Sequence, residues 1–111
     1  MMLRSLATAA LGVAVASATC VVRAQDAVAG ARKAIACQAC HGVDGISRLP
    51  DAPHLAGQPA IYLERALRAY RSGERRNEVM SIAAKTLTDE DVRDLAAYFA
   101  AIQIEAKAPS K

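Results

Sequence analysis

Apolar residues recur with helical spacing in three stretches of the chain, and no stretch alternates between apolar and polar residues as a half-buried strand would. The first stretch covers residues 26–42, where Asp26 can cap the start of a helix and Gly42 can end it. Gly30 lies inside this stretch, where glycine lowers helix stability, so we expect it to pack closely against another helix. The pattern predicts an all-α fold.

The two clearest helices are predicted over residues 59–73 and 88–102. Pro59 suits the first turn of one helix and Gly73 follows its end, while Thr88 suits the N-cap of the other. Their apolar stripes are Tyr62, Leu63, Ala66, Leu67 and Tyr70 in the first helix, and Val92, Leu95, Ala96 and Phe99 in the second, widened by Tyr98 and Ile102. The remaining segments are predicted loops at 43–58 and 74–87, the latter with a short helical piece, and a polar tail at 105–111.

Residues 1–24 are predicted to be a secretory signal peptide. One arginine precedes an apolar run, and Val22 and Ala24 suit the −3 and −1 positions of a cleavage site. Cleavage after Ala24 leaves residues 25–111 as one exported, periplasmic domain. The run is shorter than the ~20 residues of a membrane-spanning helix, so a retained anchor is the weaker alternative. The residues before Cys20 match a lipoprotein signal poorly.

The charge of the chain gives little support for a charged ligand. The full sequence has 14 Lys and Arg against 11 Asp and Glu. Arg4 and Arg23 leave with the leader, so the formal charge falls from +3 to +1. No basic run is interleaved with aromatic residues, and a nucleic-acid partner is not expected. A domain this small buries a modest core, and a covalent cofactor would stabilise it.

Cys37, Cys40 and His41 form a C-x-x-C-H motif. Residues three and four apart share a helix face, so two thiols can reach the two vinyl groups of one haem while the imidazole lies under its iron. A thioredoxin-like dithiol would need a preceding strand in a βαβ unit. A zinc site needs four ligands, for which His54 would be the fourth across a Pro/Gly loop. Both alternatives stay open, and haem c attachment is favoured.

Met80 and His54 are the candidates for the second axial position of the iron. Met80 is the only methionine left after the leader is removed, and His54 is the only other histidine. Met80 lies in a segment between two predicted helices, far along the chain from His41, which suits approach from the opposite haem face. Because His/Met ligation recurs in cytochromes c, Met80 is favoured over His54 and over an open position.

Three segments occur in an order that resembles one family. They are ACQACHGVDGIS, PDAPHLAGQPAIYLERAL and YRSGERRNEVMSIAAKTLTDEDVRDLAAYFAAI. Together they resemble class I cytochromes c, and specifically the cytochrome c4/c553-like branch, over residues 27–102. Cytochromes c4 carry two such domains, whereas this chain has one C-x-x-C-H, so it resembles the single-haem relatives or one half of a c4. The resemblance implies a small class I cytochrome c fold, with three to five helices around one covalently bound haem.

The resemblance also implies roles for individual residues. Cys37 and Cys40 would form the haem thioethers, with His41 as proximal and Met80 as distal iron ligand. Pro53 occupies the proline of the family's P-x-L-x-G loop, whose carbonyl accepts a hydrogen bond from the ligand histidine.

Four further residues have weaker assignments. Gly30 and Tyr98 resemble the small and aromatic partners at the crossing of the first and last helices. Arg75 and Asn77 could contact a haem propionate or the methionine loop, and a solvated loop face is an equal alternative. The position of His54 is not a ligand position in the family.

A haem with both axial positions filled leaves outer-sphere electron transfer as its chemistry. The sequence therefore predicts a non-enzymatic, soluble periplasmic electron carrier. Its partners would be a dehydrogenase or quinol-oxidising complex as donor and an oxidase or reductase as acceptor, with membrane contact only through them. The alternatives are a haem subunit dedicated to one periplasmic dehydrogenase and, if Met80 does not bind iron, an open-iron enzyme or sensor.

Overall fold

The computed structural model describes residues 25–110, and within this range it contains helices, turns and loops but no strand. The predicted leader, with Cys20, lies outside these residues. The all-α prediction is confirmed. None of the helices between residues 25 and 110 is both long enough and apolar enough to cross a membrane. In chain order the elements are α1 (Ala27–Lys33), a 3₁₀ turn (Ala34–Cys37), α2 (Gln38–His41), α3 (Ala60–Ser72), α4 (Met80–Ala83) and α5 (Asp89–Ala101).

The first predicted helix is present but not continuous. Residues 34–37 wind as a 3₁₀ turn between α1 and α2, so one stretch of helical spacing contains two kinds of helix. The hydrophobic pattern does not separate them, because both windings bring residues three apart to a similar side. Gly42 ends the segment with a φ of 84°, a conformation that favours glycine.

Helix α1 crosses α5 at a point where only glycine fits. A Cβ built on Gly30 would overlap the carbonyl oxygen of Asp94 and would lie 2.7 Å from the Cβ of Tyr98. The close packing expected for Gly30, with Tyr98 as its neighbour, is therefore present. The buried core beside this crossing consists of Ala34, Leu63, Leu95, Ala96 and Phe99.

Helix α5 packs against both α1 and α3. Its start is fixed by a capping box, in which Thr88 Oγ1 accepts from the Asp91 N–H and the Asp91 carboxylate accepts from the Thr88 N–H. Arg68 and Arg71 of α3 both reach the carboxylate of Asp89, at 2.7 and 2.6 Å. The first turn of α5 is thus tied to α3 as well as capped.

Candidate haem site

A cavity of about 420 Å³ opens between the α1–α2 segment, α3, α4 and α5. Its volume lies within the ~300–1,000 Å³ typical of ligand and cofactor pockets. The side chains of Cys37, Cys40, His41 and Met80 all line it, so residues predicted to act on one cofactor share one cavity. Most of the remaining lining is apolar and includes Leu55, Leu63, Ala66, Leu67, Leu95 and Phe99.

His41 is held in one orientation by the backbone of Pro53. The ring is buried, with 6% of the residue exposed, and its Nδ1 lies 2.9 Å from the Pro53 carbonyl oxygen. A carbonyl oxygen can only accept, so Nδ1 carries the proton and donates it. The lone pair is then on Nε2, which is the atom available to a metal.

The loop between α2 and α3 is folded onto the end of α2 by hydrogen bonds. The N–H groups of Leu55 and Ala56 both donate to the Gly45 carbonyl, at 2.8 and 3.1 Å. Ser47 is buried, with 7% exposed, and its Oγ donates to the carbonyl of Cys40 at 2.8 Å. These contacts bring the Pro53 carbonyl to His41. No local sequence motif marks Ser47, because its role depends on the path of the loop.

The structure places His54 away from the cavity. Its Nδ1 accepts the backbone N–H of Ser47 at 2.9 Å, and the residue is exposed and does not line the cavity. His54 therefore acts as a loop acceptor here, and Met80 is the alternative axial candidate that does line the cavity.

Met80 begins α4, and Asn77 fixes the turn that precedes it. The Asn77 Oδ1 accepts the N–H groups of Val79 and Met80, at 3.0 and 2.9 Å, and the Asn77 N–H donates to Ser81 Oγ at 3.0 Å. Asn77 therefore contacts the methionine segment, and its contact with a haem propionate stays a prediction.

Arg75 lines the same cavity with its guanidinium over an aromatic ring. The guanidinium carbon lies 4.6 Å from the centroid of Tyr70, which also lines the cavity. Stacking of this kind is favourable because the ring face is electron-rich. Arg75 therefore places a positive charge at the cavity wall, where it would stabilise an anionic group of a bound cofactor.

No disulfide joins Cys37 to Cys40, and before haem attachment burial, followed by the neighbouring Cys40, raises the pKa of the Cys37 thiol. A zinc site would need His54 as its fourth ligand, and the position of His54 outside the cavity disfavours the zinc interpretation. Two thiols, an imidazole with a free Nε2 and a thioether around one apolar cavity fit haem c.

The cytochrome c family model matches residues 27–103. The chain is 47% identical over 79 residues to cytochrome c-554(548) of Halomonas halodenitrificans, covering 68% of this chain and 95% of that protein. It is 46% identical over 77 residues to cytochrome c4 of Pseudomonas aeruginosa, covering 69% of this chain and 38% of that one. The crystal structure of reduced recombinant cytochrome c4 from Pseudomonas stutzeri superposes with a TM-score of 0.68 at 39% identity, over 72% of this chain and 47% of that chain.

The chain belongs to the cytochrome c family, and its fold is that of class I cytochromes c. Members of this family bind haem c covalently, and this chain's cofactor is haem c. The chain spans nearly the whole of the Halomonas cytochrome but only about two fifths of the Pseudomonas aeruginosa cytochrome c4.

Proposed function

We propose that the protein is a monohaem electron carrier whose iron is bound by His41 and Met80. The observation that carries this proposal is the convergence of Cys37, Cys40, His41 and Met80 on one apolar cavity. When bound, haem supplies an iron that accepts and releases one electron. If His41 and Met80 both bind this iron, no position would remain for a substrate.

The residues around the cavity influence the reduction potential of the haem. The Met80 thioether is a weak donor that favours the ferrous state, so it raises the reduction potential. The apolar lining acts in the same direction, because a low-dielectric surrounding disfavours the additional positive charge of the ferric state. Arg75 adds a fixed positive charge at the wall. The protein is therefore expected to have a higher potential than an exposed haem.

Hydrogen bonds fix both ligand-bearing segments before any electron arrives. The Pro53 carbonyl orients the His41 ring, and Asn77 Oδ1 holds the turn that leads into Met80. A site whose ligands are already in place reorganises little between oxidation states. This rigidity suits a carrier, because electron transfer then proceeds without a slow conformational step.

The proposed location is the periplasm, with a dehydrogenase or quinol-oxidising complex as donor and an oxidase or reductase as acceptor. The location rests on the leader predicted over residues 1–24. Thioether bonds to Cys37 and Cys40 would prevent loss of the cofactor outside the cytoplasm. N-terminal sequencing of protein recovered from the periplasm tests this part, and a chain beginning at Gln25 is expected.

Optical spectra of the full chain, expressed in a host that attaches haem c, test the ligation. We expect sharp reduced c-type bands, no CO binding, and the weak far-red band of a methionine–iron bond in the oxidised protein. Met80→Ala should lose the far-red band and bind CO. The matched control His54→Ala should keep the wild-type spectrum, because His54 does not line the cavity. Loss of the band in His54→Ala alone would reverse the assignment.

A further inference from the structure

A cluster of one lysine and two aspartates joins α1 to α5 at the wall of the haem cavity. Lys33 Nζ lies 2.8 Å from Asp91 Oδ1 and 2.8 Å from Asp94 Oδ2. Asp94 is buried, with 3% exposed, and its Oδ1 accepts the backbone N–H of Asp26 at 3.0 Å. Lys33 also lines the cavity, so one residue connects the cavity wall to both carboxylates, which do not line the cavity themselves.

The cluster differs from an ordinary surface ion pair. An exposed pair contributes about 0–1 kcal/mol because water screens it. Here one carboxylate is buried between two helices and accepts a backbone N–H as well as the ammonium. Charges beside an apolar cavity are weakly screened and act over longer distances than charges in water. The cluster can therefore influence charge inside the cavity.

The ionisation of the cluster is fixed near neutral pH. Hydrogen bonding to Lys33 lowers the pKa of Asp91 from 3.8 to about 2 and also lowers the pKa of Asp94. The bonds to Asp91 and then Asp94 raise the pKa of Lys33 above its usual value. One cation and two anions leave a net charge of −1, and no member titrates near neutral pH.

The other charged groups on α1 and α5 are not members of the cluster. The Asp26 carboxylate caps its own helix α1, and Asp89 binds arginines of α3. Arg93 adds a weaker Coulombic effect that also lowers the pKa of Asp94. The charged side chains of α1 and α5 outside the cluster are Asp26, Arg32, Asp89, Glu90 and Arg93.

Building on the proposed function, we propose that Lys33, held between Asp91 and Asp94, is a positioning residue that sets the reduction potential. Lys33 is followed directly by the 3₁₀ turn that ends at Cys37, so fixing it against α5 fixes the start of the haem-attachment segment. Its ammonium also offsets the charge of one of the two carboxylates that it contacts. The cluster thus has two effects: it fixes the position of the haem-attachment segment, and it sets the local charge at −1.

Two substitutions should shift the potential in opposite directions. Lys33→Met leaves two carboxylates without their cation, which stabilises the ferric state and lowers the potential. Asp94→Asn removes one anion and raises it. Lys33→Arg should restore the wild-type potential, because a guanidinium carries the same charge and its fork can bind both carboxylates. Lys107→Met removes the same charge from the exposed tail and serves as the matched control.

The pH profile gives a second signature. Without Lys33 the largest cause that lowers the pKa of buried Asp94 is gone, and only the Asp26 N–H and Arg93 still lower it, so this carboxyl takes up a proton at a higher pH than in the wild type. Protonation returns the local charge to −1, the value of the wild type. The potential of Lys33→Met should therefore fall further below that of the wild type as pH rises, and the difference should close as pH falls. Lys107→Met should show a difference that does not change with pH.

The experiment is a spectroelectrochemical titration of each purified holoprotein from about pH 3 to about pH 8, a range that includes the ordinary pKa of an aspartate, with thermal melting in parallel. Opposite shifts, with rescue by Lys33→Arg, support the proposal. Lower melting temperatures with unchanged potentials, or shifts of one sign in both variants, would show a purely structural cluster and overturn it. If Asp94→Asn does not mature, Asp91→Asn tests the same sign at the more exposed partner. A wild type lacking haem or methionine ligation would instead refute the proposed function.

Discussion

His41 Nδ1 lies 2.9 Å from the carbonyl oxygen of Pro53, a residue twelve positions further along the chain. The acceptor is a backbone atom, so a side-chain substitution cannot remove it and only a change in the path of the loop can displace it. That path depends on the Gly45 carbonyl and on buried Ser47. The orientation of the proximal ligand is therefore a property of the whole loop, and its integrity can be tested through residues that never touch the cofactor.

Ser47→Ala should destabilise the loop without removing the haem. The Oγ donates to the Cys40 carbonyl at 2.8 Å and accepts the Leu49 N–H at 3.0 Å. Loss of these partners in a buried site costs about 1–3 kcal/mol. Denaturant unfolding of the holoprotein would measure this loss in the free energy of unfolding. Ser72→Ala, at an exposed serine, is the control and should change stability by less than about 0.5 kcal/mol. Equal effects from the two substitutions would contradict the role given to Ser47.

Asn77→Ala should weaken the methionine–iron bond. It removes the acceptor for the N–H groups of Val79 and Met80, so the turn before α4 loses its fixed geometry. The far-red band of the oxidised protein should disappear at a lower temperature than in the wild type. Asn77→Asp keeps an oxygen acceptor at the same position and should retain most of the band. If the band disappears at the same temperature in all three proteins, Asn77 does not support the methionine–iron bond.

Acid should destabilise the protein through Asp91. Hydrogen bonding to Lys33 and to Thr88 lowers the pKa of this carboxyl from 3.8 to about 2. A pKa that is lower in the folded state stabilises the fold above the unfolded value, and this contribution is lost as pH falls through the folded value. Unfolding free energies should therefore drop between about pH 4 and pH 2. In Lys33→Met the drop should be smaller, because the largest cause of the lowered pKa is gone. A drop of the same size in both proteins would point to other carboxyls.

Cys37→Ala combined with Cys40→Ala should leave a poorly folded chain. Without thioethers the apolar cavity of about 420 Å³ has no covalently held occupant, and a domain this small has little other core to stabilise it. Far-UV circular dichroism should show reduced helicity and a broad thermal transition. His54→Ala, which leaves the attachment residues intact, should melt cooperatively. Wild-type helicity in the double variant would mean that the helices fold without haem.

The sequence predicted those parts of the protein whose signals are local. The spacing around Thr88 and Pro59 marks helix starts, and Gly30 in a helical stretch indicates close packing, because each effect acts within one or two turns. The 3₁₀ turn at residues 34–37 was not predicted, because four residues are too few for the apolar spacing to distinguish it from an α-helix. The charge cluster was missed for another reason. Lys33 and Asp94 are 61 positions apart, and only the folded chain brings them together.

The placement of α5 bears on the order in which the protein can be assembled. Leu95, Ala96 and Phe99 of this last helix form part of the cavity wall, whereas the attachment cysteines belong to the first helical segment. When the chain emerges with its N-terminus first, both thiols are exposed before α5 has formed this part of the wall. Thioether formation can then proceed on an accessible segment, and the arrival of α5 encloses a cofactor that is already attached. The wall that α5 adds to the finished cavity is therefore no obstacle to loading the protein.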